Sequence, residues 1–269
     1  MSVISVQNDY DFYISEIEYF NEREANPEWR IDGLVYHNFY IIAFCKSGEA
    51  IYRFNGTEHT VRKGDLLFFP KGLVRSAHSN PDNPWSFYTI TFDVRFQNEQ
   101  ARELFDRFDY VIRSPQLYKL QTIFTEFNQV WTGKRNGFTI QCKSLIMNIL
   151  YAMIRERDRQ THGSAHYNAI EQTTNHILAH YTDHFSIAEL ARQTGLSPSH
   201  FRLLFKKITG MTAVQYQNHI RINKAKDLLM SGECNVTEAA LSVGFQDIYY
   251  FSRLFKQLTG ESPSRYIRG

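Results

Sequence analysis

Short apolar runs alternate with turn residues between about residues 33 and 94. The runs are rich in Ile, Phe and Tyr and occupy 39–44, 50–54, 65–69 and 85–92. Asn55-Gly56 separates two of them, and Asn-Gly between apolar runs is a strong signal for a tight hairpin turn. Many short strands at this spacing predict a small β-barrel or jelly roll. Residues 1–30 show no clear period and are expected to be irregular or to form edge structure.

The period becomes helical after about residue 99. Ser114 and Pro115 suit a helix N-cap and first turn, and apolar residues then follow one helical face. A second helix follows the polar loop 133–137, and its apolar face is wide. That width predicts burial on two sides, against the barrel and against a second subunit. The two apolar faces consist of Leu117, Leu120, Phe124, Phe127 and Trp131, and of Cys142, Leu145, Ile146, Ile149, Leu150, Met153 and Ile154.

The last hundred residues contain one pattern twice. Ser186 and Asn235 each stand three positions before a Glu, which is the arrangement of a helix capping box. In each copy a short helix ends at Gly195 or Gly244, and a second helix with an apolar stripe follows. This is the helix-turn-helix plan, in which the second helix enters the DNA major groove. The motifs span 186–208 and 235–258, and their stripes are Phe201, Leu204, Phe205 and Ile208, and Phe251, Leu254, Phe255 and Leu258.

Composition limits the possible classes of protein. A chain of 269 residues that is 43% hydrophobic is long enough for two domains with cores of their own. Three widely separated cysteines argue against a disulfide framework and fit a reducing compartment. The first ten residues lack the pattern of a signal peptide, and no apolar run could span a bilayer. We therefore expect a cytoplasmic location.

Many individual residues around the two motifs match one known family. They are Leu190-Ala191, Ser197, Phe201, Leu204-Phe205-Lys206, Gly210, Arg221-Ile222, Ala225, Leu228-Leu229, Gly244-Phe245, Tyr250-Phe251-Ser252-Arg253, Phe255-Lys256, Gly260 and Ser262-Pro263. With almost no gaps, this series resembles the DNA-binding domain of AraC/XylS-type transcription regulators. The resemblance implies binding to double-stranded promoter DNA and, because the family is mostly activating, work together with RNA polymerase.

The side of each recognition helix opposite its apolar stripe is the expected DNA-contacting side. Arginine pairs with guanine, apolar side chains suit thymine methyl groups, and lysines reach phosphates. An ordinary solvated helix face is the alternative interpretation. The family's base-reading positions correspond to Ser199, Arg202, Leu203, Ile248, Tyr249 and Arg253. His200 and Ser252 lie on the same sides, and the expected phosphate contacts are Lys206, Lys207 and Lys256.

Gly64, Pro70 and Gly72 match the spacing of the second motif of cupin barrels. This stretch resembles the usual effector domain of AraC-type regulators. The metal-binding histidine of cupins would fall at Arg75, and the first motif's histidine pair at Phe54 and Gly56. Because imidazoles are missing at these positions, we expect no bound metal, no cofactor and no catalytic residue.

The predicted barrel offers aromatic walls and polar groups for a small polar effector, a sugar or sugar derivative. Arg75 could donate in-plane hydrogen bonds to hydroxyls or to a carboxylate. An ion pair between Arg75 and Asp65 or Asp93 is the alternative. The candidate effector-binding residues are Tyr36, His37, Phe39, Arg53, Arg75, His78, Trp85 and Tyr88, and Phe54, Phe69 and Phe87 are further wall residues.

These patterns together predict an α+β protein with two domains. A cupin-like or jelly-roll-like β-barrel (1–98) is followed by a helical dimerisation segment (99–158), a polar linker (159–166) and an all-α DNA-binding domain (167–269). The predicted function is that of a homodimeric, ligand-responsive activator of carbohydrate-utilisation genes. The alternatives are a constitutive DNA-binding repressor or architectural protein, and a cupin-type enzyme fused to a DNA-binding domain.

Overall fold

A computed structural model describes residues 10–114 and 119–267, and the chain divides into two compact units at Asp158. The predicted apolar runs all form strands. β1 adds an edge strand in a stretch that has no sequence period. The N-terminal unit contains β1 (Phe12–Arg23), β2 (Arg30–Leu34), β3 (Tyr40–Ser47), β4 (Glu49–Phe54), β5 (Thr57–Arg62), β6 (Leu66–Phe69), β7 (Arg75–Ser79), β8 (Ser86–Phe96), α1 (Glu99–Asp106), β9 (Val111–Ile112), α2 (Leu120–Gly133) and α3 (Phe138–His162).

The strands form two antiparallel sheets, with the orders β1-β8-β3-β6-β9 and β2-β7-β4-β5. Residues of both sheets share one apolar core, in which the rings of Tyr52 and Phe69 stack 5.4 Å apart. The predicted two-layer jelly-roll character is therefore confirmed. This unit is not a closed barrel, because the ladders of the described residues leave two separate sheets.

The five-stranded sheet is buried on both faces. On β8, Phe87 belongs to the core between the sheets, whereas its neighbour Tyr88 belongs to the core on the helical side. The ring of Phe124 on α2 stacks on Tyr88 at 5.8 Å and on Phe44 of β3 at 5.3 Å. Burial on two faces explains why these strands are continuous apolar runs rather than alternating ones.

The wide apolar face of α3 packs within its own unit. Leu145, Ile146, Ile149, Leu150 and Met153 are all buried in the core between the helices and the five-stranded sheet. These residues are covered by α2 and the sheet, so the width of this face does not by itself call for a second subunit. A separate stripe of α3 is exposed to solvent and consists of Ile140, Met147 and Tyr151. The predicted N-terminal turn with Pro115 and Leu117 lies outside the described residues.

The C-terminal unit is helical, and its helix ends follow the sequence signals. Capping boxes form at Ser186 with Glu189 and at Asn235 with Glu238, as predicted. The predicted linker 159–166 is helical except at Gly163, where α3 ends and the next helix begins. None of the helices in the described ranges has the length and apolar character needed to cross a membrane. The elements are α4 (Ser164–Ala179), α5 (Ile187–Gln193), α6 (Pro198–Thr209), α7 (Ala213–Ser231), α8 (Val236–Ser242), α9 (Ile248–Thr259) and a short 3-10 turn (Pro263–Tyr266).

Candidate functional site

Helix α6 presents a polar and basic face away from its core. The hydroxyl of Ser197 caps the helix by accepting the His200 N–H at 3.3 Å, and Pro198 occupies the first turn. Phe201, Leu204 and Phe205 are buried, which fixes the rotation of the helix about its axis. The face that this rotation exposes carries the residues expected to contact DNA, namely Ser199, His200, Arg202, Leu203, Lys206 and Lys207.

Helix α9 repeats this arrangement in the second motif. The carboxylate of Asp247 caps it by accepting the N–H groups of Tyr249 and Tyr250 at 2.8 and 3.0 Å. Phe251 and Phe255 are fully buried. The opposite side carries an exposed aromatic residue, Tyr249, which is 84% exposed. Among the expected DNA contacts, Tyr249, Arg253 and Lys256 are exposed, whereas Ile248 and Ser252 are half-buried.

The basic side chains of both faces are available to an anionic partner. Among the described residues, no carboxylate pairs with Arg202, Lys206, Lys207, Arg253 or Lys256, although ion pairs form elsewhere on the surface. A helical surface that places unpaired cations beside exposed hydroxyl, imidazole and aromatic groups has the chemistry needed for both phosphate and base-edge contacts.

Helix α7 connects the two motifs and is tied to the segment after α4. The buried Arg221 donates from Nε to the carbonyl oxygen of Tyr181 at 2.6 Å, and from Nη2 to those of Thr182 and Asp183. Burial lowers the pKa of Arg221, since the charged form loses hydration there. Asn218 of α7 also donates to the hydroxyl of Tyr250 on α9 at 3.2 Å. Helix α7 is thus hydrogen-bonded both to the segment that precedes the first motif and to the recognition helix of the second motif.

A cavity of about 450 Å³ opens between the two sheets of the N-terminal unit. Aromatic rings from both sheets form much of its lining, and the guanidinium of Arg75 reaches it from β7. Sequence reasoning missed Trp29, because the residues before 30 show no period. It also missed Tyr52, Thr89 and Thr91, because a strand pattern does not show which face of a strand meets a cavity. The main lining residues are Asn21, Trp29, Tyr36, Tyr52, Phe69, Arg75, Phe87, Thr89 and Thr91.

Two of the predicted effector-binding residues, Tyr36 and Arg75, line this cavity, as do the predicted wall residues Phe69 and Phe87. Trp85 is fully buried and stacks on Phe87 at 4.0 Å, outside the lining. Phe54 lies in the core between the sheets and is also not part of the lining.

The other predicted effector-binding residues lie elsewhere. Tyr88 does not line this cavity, since strand alternation turns it toward the helices. Arg53 and His78 border a depression on the outer face of the four-stranded sheet, again because of alternation. His37 is exposed and Phe39 is half-buried between β2 and β3, and neither reaches the cavity.

Arg75 does not form the ion pair that was the alternative to a binding role. Asp65 instead pairs with Arg113, whose Nε lies 3.2 Å from the carboxylate, and Asp93 pairs with Lys71 at 2.5 Å. The Arg75 guanidinium lies over the rings of Phe69 and Tyr36, with its central carbon 4.6 and 5.5 Å from their centroids. Within the described ranges, no cluster of His, Cys, Asp or Glu could hold a metal ion.

Two family models match the chain in its two units. A model for an AraC-like ligand-binding domain matches residues 24–150, and a helix-turn-helix domain model matches residues 190–269. The chain belongs to the AraC-type family of transcription regulators. It is therefore a DNA-binding regulator that carries a ligand-binding domain.

Several AraC-type regulators are similar over most of their length. The arabinose operon regulatory protein of Salmonella typhimurium is 29% identical over 86% of this chain and 84% of its own. The MmsAB operon regulatory protein of Pseudomonas aeruginosa is 27% identical over 86% of this chain and 75% of its own. The Msm operon regulatory protein of Streptococcus mutans is 22% identical over 99% of this chain and 98% of its own.

Proposed function

We propose that this protein activates genes for the use of a carbohydrate and that a small molecule in the cavity between its sheets controls it. The observation that carries this proposal is the combination, in one chain, of two exposed recognition helices and a cavity with aromatic walls and hydroxyl and amide groups. Sugars bind well in such surroundings, because their apolar ring faces stack on aromatic side chains while polar groups bind their hydroxyls. The regulator of an arabinose operon among its relatives supports a sugar as effector.

On DNA, we infer that α6 and α9 bind successive major-groove segments on one face of the duplex, about one turn (~34 Å) apart. Helix α7 joins them and has 19 residues, a length of roughly 28 Å at 1.5 Å per residue. Arg202 and Arg253 read bases in this proposal, and Lys206, Lys207 and Lys256 neutralise phosphates.

The segment 99–158 is proposed to form a homodimer that binds two direct or inverted half-sites. The exposed stripe of α3, formed by Ile140, Met147 and Tyr151, supplies the apolar surface for it. RNA polymerase is the further partner that activation requires. Because the target is chromosomal DNA, a cytoplasmic location is part of the proposal. The proposal includes no catalytic activity, since the relatives of this protein are regulators.

A genome-wide map of the sites bound by the full chain, with and without sugars, tests this function. We expect sites beside carbohydrate-utilisation genes and a change in occupancy or promoter output when one sugar or sugar derivative is added. Occupancy and output that no such compound changes would favour the alternative of a constitutive repressor. Binding without sequence preference would favour an architectural protein.

A further inference from the structure

The cavity contains a buried positive charge that no side chain neutralises. Arg75 is only 5% exposed, and its Nε is fully buried without a hydrogen-bond partner. None of the described residues forms an ion pair or a hydrogen bond with its guanidinium. A buried charge without a counter-charge is strongly destabilising in proteins, because its lost hydration is not replaced by a partner.

The groups around Arg75 stabilise its position but not its charge. The rings of Phe69 and Tyr36 contact the guanidinium through their faces, an attraction much weaker than an ion pair. Tyr52 also lies close, but burial raises the pKa of its phenol well above the usual range, so that it stays neutral. The same apolar surroundings lower the pKa of Arg75 itself, although an arginine side chain keeps its proton at neutral pH.

The charged residues at the edge of the cavity do not change this balance. Glu18 and Arg23 line it from β1, and both are exposed to solvent. Their charges are opposite and screened by water, so that they contribute little net charge to the interior. The interior therefore carries one uncompensated positive charge, at Arg75.

We propose that Arg75 binds a carboxylate of the effector, which makes the ligand a sugar acid, an aldonate or uronate, rather than a neutral sugar. This inference rests on the proposed function, in which the cavity is the effector site. The planar guanidinium can donate two parallel hydrogen bonds to one carboxylate. The remaining polar lining, Asn21, Thr89 and Thr91, is suited to hydroxyls, and Trp29 and Phe87 offer ring faces.

A carboxylate fits the charge balance better than a phosphate ester does. One guanidinium compensates one negative charge, whereas a phosphate ester carries about −1.5 to −2 at neutral pH. No second buried cation lines the cavity in the part of the chain that the structure describes. Phosphate binding at Arg75 would therefore leave part of the ligand charge without a partner.

The test is calorimetry on the full chain with matched pairs of ligands. The pairs are D-galactose with D-galacturonate, D-glucose with D-gluconate, and L-arabinose with L-arabinonate, and inorganic phosphate is a further probe. We expect at least one acid to bind at least about tenfold more tightly than its neutral partner, the gain of one charge-assisted contact. Neutral sugars or phosphate binding more tightly than every acid, or no acid binding, would overturn the inference.

Variants separate a ligand-binding role from a structural one. Arg75→Met keeps an unbranched, apolar stem but removes the guanidinium and its charge, so acid affinity should fall to that of the neutral partner. Its thermal midpoint without ligand should equal or exceed that of the wild type, because an uncompensated buried charge is gone. The control is Arg53→Met, since Arg53 is exposed on the outer face and pairs with Glu58; acid binding should not change.

The results also distinguish this inference from the function on which it rests. A neutral sugar that alters DNA binding equally in wild type and Arg75→Met would leave the proposed function intact and refute the role of Arg75. Acid binding that survives Arg75→Met would do the same. A panel in which neither acids nor neutral sugars bind or alter DNA binding would count against both.

Discussion

The guanidinium Nε of Arg221 lies 2.6 Å from the carbonyl oxygen of Tyr181, 40 residues earlier in the chain. With two further hydrogen bonds, to the carbonyls of Thr182 and Asp183, this one buried side chain of α7 holds the backbone that follows α4. The carbonyls of residues 181–183 have left the α4 hydrogen-bond ladder, so they require donors from elsewhere. Gln217 supplies two of these donors, to Tyr181 and Asp183, and Arg221 is the donor to Thr182.

We predict that Arg221→Met destabilises the C-terminal unit by roughly 2–3 kcal/mol, because three hydrogen bonds from a charged donor are lost and the carbonyl of Thr182 is left without its donor. Thermal unfolding of the full chain should show the loss in the transition of this unit. Lys224→Met is the matched control, since Lys224 is exposed on the same helix. Equal effects of the two substitutions would contradict the structural role of Arg221.

Gly195 and Gly244 occupy equivalent turns of the two helix-turn-helix motifs but differ in the space around them. Both have a positive φ, +89° and +69°. A Cβ at Gly244 would lie 2.5 Å from the carbonyl oxygen of Thr182, whereas one at Gly195 would meet no atom within 4 Å. Gly195→Ala should cost about 1–2 kcal/mol from the left-handed backbone alone. Gly244→Ala should cost clearly more in chemical denaturation, and a smaller loss than at Gly195 would refute the close approach.

The exposed stripe of α3 leads to a prediction about assembly. Tyr151→Glu should convert a dimer of the full chain to a monomer in sedimentation experiments, because a charge in an apolar interface is costly to bury. Asn148→Glu is the control for a charge on the same helix, since Asn148 is exposed but lies outside this stripe, about 100° around the helix from Met147. Its effect should be weaker. A wild-type protein that sediments as a monomer with and without DNA would rule out the dimer.

The sequence patterns were most informative where the determining interactions are local. Both capping boxes and both buried stripes connect residues at most seven positions apart, so that the repeat could be recognised from spacing alone. The cavity depends instead on which face of a strand meets which layer. Phe87 and Tyr88 are neighbours with similar chemistry, yet only Phe87 lines the cavity. The partners of Arg221 are close only in the folded chain, and no sequence spacing points to them.

The sharpest prediction for DNA recognition compares Arg253 with Lys206, both exposed on recognition helices and both without an ion pair among the described residues. Arg253→Ala should weaken binding to the specific site by roughly 1–3 kcal/mol and relax the preference at one base pair, because a base contact is lost. Lys206→Ala should weaken binding to specific and random DNA alike and reduce the slope of log affinity against log salt by about one, because one phosphate contact is lost. Titrations of both variants on the two kinds of DNA at several salt concentrations provide the measurement, and each variant serves as the other's control. If Arg253→Ala lowered the affinity for both kinds of DNA equally, its assignment as a base reader would be wrong.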